Sequence, residues 1–137
     1  MSFASSEPTT CFAANAATAL FGIVIGFQAL LAVGILPITM AWGGRQQTLT
    51  LDLRVASLAS VVILALFMYV IWRRAGLIGG YPVPRTIRVL SWIATAYMAL
   101  NTMGNLISFS SAERIIFTPI SFLLMVLCMI VSLSRTA

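Results

Sequence analysis

The sequence predicts an all-α fold, an integral membrane four-helix transmembrane bundle forming a single domain over residues 1–137. Three observations predict it. The chain is 61% hydrophobic and 8% charged, with a mean hydropathy of +1.05, where soluble domains carry about 25% charged residues. Four apolar runs, at about 16–38, 53–72, 89–109 and 115–133, each come close to the ~20 residues that cross the hydrocarbon core. Segments rich in Gly, Pro and polar residues separate them.

Before the first run, residues 1–15 hold Glu7 and no basic stretch, so no cleaved signal peptide is expected. Within the run, Thr18, Gly22 and Gly26 recur every fourth residue and leave a face nearly free of side chains. Such a GxxxG face lets another backbone approach. Packing within the same chain is the favoured use, and a homodimer contact the other. Gln28 is the strongly polar group of this run and should find a partner inside the bundle. Pro37 ends or kinks the helix near the interface.

The segment Gly43–Asp52 is a polar loop, and Thr50 or Asp52 suits the N-cap of the second helix. That helix closes on Tyr69 and Trp72 followed by Arg73 and Arg74, an aromatic anchor backed by positive charge. Pro82 and Pro84 then force a turn. The third run, Val89–Phe109, is the unusual one. Ser91, Thr95, Asn101, Thr102, Asn105 and Ser108 make a polar stripe at helical spacing. Unpaired amides are costly in hydrocarbon, so the stripe must face other helices or water. Ser110 and Glu113 form an S-x-x-E capping box for the fourth helix, and Pro119 separates ERIIF from its membrane-crossing part. The first and third helices, with small and polar faces, are expected at the centre.

All eight basic residues are arginines. Arg73, Arg74, Arg85 and Arg88 lie between the second and third runs, and Arg135 follows the fourth; Arg45, Arg54 and Arg114 lie opposite, with Asp52 and Glu113. Positive charge stays inside. The expected location is therefore the inner (plasma) membrane with both termini cytoplasmic. Because the arginines flank apolar runs, no nucleic-acid partner is expected.

The chemistry is sparse. Histidine and lysine are absent, and the three carboxylates fall outside the apolar runs. This leaves no proton relay of the usual kind and no zinc, phosphate-loop or Ser/His/Asp pattern. Cys11 and Cys128 form no CxxC, and Met98, Met103, Met125, Cys128 and Met129 read as packing rather than a copper site. Neither catalysis, nor a cofactor, nor a metal is expected. Glu113 and Arg114 read as an interface charge pair beside the stripe. The favoured function is a self-associating or accessory subunit of a membrane complex, whose partners are the lipid bilayer and either further copies or other membrane subunits. The alternative is a small oligomeric channel or transporter using the polar face of the third helix.

Two short pieces, Asn101-Thr-Met-Gly104 and Phe109-Ser-Ser111, look similar to elements of the fluoride-channel family of short four-span chains. Both fall on one run here, and that family's repeated Thr-Phe-Ser signature is missing. The chain is not assigned to it.

Overall fold

A computed structural model describes residues 8–134; Glu7 and Arg135 lie outside them. Four helices form: α1 (Pro8–Val33), α2 (Leu51–Arg74), α3 (Arg85–Leu106) and α4 (Thr118–Leu133), the last continuing a π-helical turn over Glu113–Phe117. Among the described residues there is no strand. Three stretches, Pro8–Val33, Leu51–Arg74 and Glu113–Leu133, are long and apolar enough to cross a membrane. The third helix is not among them. It begins at Arg85 rather than near Val89, so two arginines join the polar stripe within one helix.

Local chemistry sets the helix limits. Pro8 opens α1, where its missing N–H costs nothing. Gly34, at φ +85°, closes it: the Gly34 amide donates to Leu31 O at 3.1 Å and the Ile35 amide to Leu30 O at 3.0 Å. That pairing is the Schellman closure. It ends the helix ahead of Pro37, where the sequence reading had placed the end. Thr50 caps α2 by accepting from the Leu53 amide at 3.2 Å. In the fourth helix half of the capping box forms, with the Glu113 amide donating to Ser110 Oγ at 3.3 Å. Pro119 brings no N–H to the turn above, and Thr118 instead donates its amide to Glu113 O, an i to i+5 bond.

Packing follows chain order as a ring. Helix α1 lies against α2 and α4, and α3 against α4 and α2. Across the middle it is α2 and α4 that meet. The expectation that the first and third helices are central is corrected: α4 touches all three others. Its buried row, Leu124, Cys128 and Val131, meets Phe21, Ile71 and Met98, each fully buried. Ala13, Ala14, Ala17 and Ala94 bring the backbones close around them. Outward, Ile23, Val62, Leu66, Leu100 and Phe122 are exposed, so the bundle is apolar on its surface as well as in its core. That surface suits lipid.

The two ends differ. At one, Arg74 donates to Ser132 O at 3.3 Å and Ser134 O at 2.8 Å, Arg73 donates to Gly80 O at 2.7 Å, and Tyr81 donates to Ala75 O at 2.8 Å. At the other, the 34–50 loop is laced to the turn before α4. The Phe109 amide donates to Gly43 O at 2.9 Å and Ser110 Oγ to Met40 O at 2.7 Å.

The small-residue face of α1 divides. Thr18 donates to Ala14 O at 2.8 Å and accepts from Trp72 Nε1, so it does pack on α2. Gly22 and Gly26 are exposed, with nothing within 4 Å of where a Cβ would stand. Packing of these two glycines within the chain is therefore overturned. A four-residue repeat advances about 40° beyond a full turn at each step, so the row winds off the α2 seam.

Gly44 is different. At φ +74° its Cβ would come 2.5 Å from Ser110 N and 2.8 Å from Phe109 C. Gly44→Ala should lower stability by about 1–3 kcal/mol, whereas Gly26→Ala should change it by less than about 0.5 kcal/mol. Thermal unfolding of both variants in nanodiscs checks the contrast.

Candidate functional site

The laced end of the bundle encloses a polar cavity of about 110 Å³. Every helix contributes to it. Helix α1 brings Val24, Phe27 and Gln28; α2 brings Ser60 and Leu64; α3 brings Tyr97, Asn101 and Asn105; the fourth helix and its π turn bring Glu113, Phe117 and Ser121; and Trp42 comes from the loop. One turn further toward the arginine-rich end, Phe21, Met98 and Leu124 are fully buried in the apolar core. Above the cavity lies a vestibule of about 370 Å³ that shares Trp42, Asn101, Asn105 and Glu113 with it and adds Arg45 and Phe109.

Local folding explains why polar side chains gather here. On α3, Tyr97, Asn101 and Asn105 stand one turn apart, on the side turned toward α4. Asn105, 7% exposed, donates through Nδ2 to Ser121 Oγ at 2.8 Å and to Phe117 O at 3.3 Å. Because a backbone carbonyl can only accept, this pairing fixes Asn105 Oδ1 as the atom left without a donor. Ser60 gives its proton to Ala56 O at 2.9 Å, which leaves its lone pairs available. Gln28 Oε1 is buried with no hydrogen bond, and Asn101 lines both spaces with no protein partner for its amide. A pocket of this volume that holds several open polar groups is a site for water or a small polar solute.

Glu113 frames the mouth. Its carboxylate accepts from the Gly43 amide at 3.1 Å and from Ser108 Oγ, and Ser108 Oγ in turn accepts from the Ser110 amide at 2.9 Å. Trp42 is fixed by a 3.2 Å bond from Nε1 to Ser57 Oγ, and Arg45 lies 4.6 Å over the Phe109 ring. The Glu113–Arg114 pair read from the sequence comes apart. Glu113 is engaged by Gly43 and Ser108, while Arg114 is exposed and lines neither space.

The stripe of the third helix splits into three. Ser91 donates to Arg88 O at 2.8 Å and Thr95 to Ser91 O at 2.9 Å, with Thr95 Oγ1 3.5 Å from Ser132 Oγ, all toward the arginine-rich end. Thr102 bonds back to Met98 O at 2.8 Å, within its own helix. Asn101 and Asn105 reach the cavity, and Ser108 holds Glu113. Ser60, Tyr97, Ser121 and Trp42 are cavity residues that sequence reasoning missed. Gln28 carried a signal, since it stood alone as a strong dipole in an apolar run. Met98 and Cys128 belong to the buried apolar core with Met125 packed against it, while Met103 and Met129 are exposed.

No protein family, curated protein or solved structure matches the chain. The cavity alone therefore carries the functional argument. Asn105→Leu should lower stability by about 1 kcal/mol through loss of its contacts to the fourth helix, while Asn101→Leu should leave it nearly unchanged. Unfolding of the two variants in a common detergent provides the comparison.

Proposed function

We propose that the protein is a non-catalytic membrane protein that takes a small polar solute into the polar cavity, as a carrier or receptor rather than an open pore. The observation that carries this reading is Asn101. It lines cavity and vestibule, yet no protein group bonds its amide. Asn101 is only partly buried, so its open amide stands where water or a solute can reach it. A residue serving only as glue between helices would be paired, as Asn105 is. Water or a solute satisfies Asn101 where the protein does not. The full burial of Phe21, Met98 and Leu124 one turn beyond the cavity supports a binding site over a continuous channel.

All four helices cross the bilayer on this reading. Helix α3 is the least apolar, and α4 and α2 cover its polar face. The arginine-rich end lies in the cytoplasm of a plasma membrane, with both termini on that side, so the cavity opens outward. A second reading, self-association, is favoured by one feature. Gly22 and Gly26 form an uncovered face on α1 where a second copy could pack at short range.

Cysteine labelling tests the cavity reading. In a chain carrying Cys11→Ala and Cys128→Ala, Asn101→Cys should react with a small charged thiol reagent added to the outer face of proteoliposomes and not from the inner face. A chain that stays unlabelled from both faces would sink the proposal. For the second reading, Gly22→Leu should lower the dimer fraction in nanodiscs, measured by native mass spectrometry.

A further inference from the structure

The charge and hydrogen-bonding balance of the cavity selects among polar solutes. Of its twelve lining residues, Glu113 is the charged one, and no arginine lines the inner space. Arg45 belongs to the vestibule, over Phe109, and Arg54 and Arg114 are exposed. Both partners of the Glu113 carboxylate, the Gly43 amide and the Ser108 hydroxyl, are neutral. No cationic side chain among the described residues offsets the formal charge of this carboxylate. The carboxylate attracts a cation and repels an anion.

Hydrogen bonding points the same way. Gln28 Oε1 is buried with no donor, Asn105 has committed Nδ2 and retains Oδ1, and Ser60 has given its proton to Ala56. These three open acceptors stand beside the open donors of Asn101, Tyr97 and Ser121, so a cationic donor finds acceptors to meet it here. An ammonium ion brings three or four N–H donors and no acceptor. The walls hold four aromatic residues, Phe27, Trp42, Tyr97 and Phe117, and the Phe27 and Phe117 rings lie 4.2 Å apart between centroids. Aromatic faces favour cations over neutral solutes of equal size. The volume of about 110 Å³ limits the guest to a very small one.

We propose that the cavity binds a small ammonium-type cation, from ammonium itself to methylammonium, with Glu113 as its counter-charge and Gln28 and Asn105 as acceptors. This inference rests on the solute-binding reading above. The full chain in nanodiscs is titrated separately with methylammonium chloride, urea and sodium formate at constant ionic strength, and the side-chain amide NMR signals of Asn101 and Asn105 are followed. Methylammonium should shift them at concentrations about tenfold below urea, with no saturable effect of formate. Glu113→Gln should weaken methylammonium binding about tenfold or more. Since Glu113 also joins two loops, Gln28→Leu is the companion variant. It leaves those bonds intact, and it should weaken methylammonium severalfold. If urea or formate binds as well as methylammonium, or if neither variant weakens it, the cation inference falls and solute binding stands. If none of the three probes shifts the signals, both fall.

Discussion

Hydrocarbon offers no hydrogen bonds, so every polar group that this chain brings into the bundle must be satisfied by another part of the chain or by something enclosed with it. Most are satisfied locally. Thr18, Ser60, Thr95 and Thr102 each give their hydroxyl proton to the carbonyl four residues earlier. Such back-bonding hides a hydroxyl within its own helix and makes no demand on a neighbour. Amides cannot do this as well. Their two donors and one acceptor extend further, and Asn105 resolves the matter by reaching Phe117 O and Ser121 on the fourth helix. That contact sets the rotation of α3 against α4, and with it the direction in which Asn101 and Tyr97 face.

The same constraint shapes the laced end. A loop near the membrane has backbone groups that need partners, and the 34–50 loop finds them in the turn before α4. Glu113 serves both, accepting from Gly43 on one side and Ser108 on the other. The sharp turn at Gly44 allows the two backbones to come together, and a side chain there would enter Ser110. Trp42, tied to Ser57, then stands over the cavity as part of its rim. Structural lacing and the cavity mouth are thus built from one set of residues.

Against these locally bonded hydroxyls, two side-chain amides stand apart. Gln28 Oε1, buried without a hydrogen bond, and the partly buried Asn101 amide line a space to which all four helices contribute. The apolar core and the polar cavity occupy different levels of the bundle. In the apolar core, alanines bring the backbones together around Phe21, Ile71 and Met98.

Four helices were legible in the sequence as four apolar runs, and three of them are long and apolar enough to cross a membrane; the third run is not, since its helix takes in Arg85 and Arg88. Equally legible were the Thr50 cap and the start of the fourth helix at Ser110, since caps are written within four residues of chain. The polar stripe was visible as a stripe. Its division was not, because Thr102 and Asn101 are adjacent in sequence and differ only in whether the side chain can fold back on its own helix. The exposure of Gly22 and Gly26, the separation of Glu113 from Arg114 and the gathering of Gln28, Ser60, Tyr97 and Ser121 were likewise beyond it. Each depends on how one helix is rotated against another, and rotation is decided by contacts between residues far apart in the chain, on which local spacing is silent. The sequence by itself determined which segments enter the membrane-like core and which polar groups they take with them; only the tertiary structure decided which of those groups meet each other and which are left facing an enclosed space.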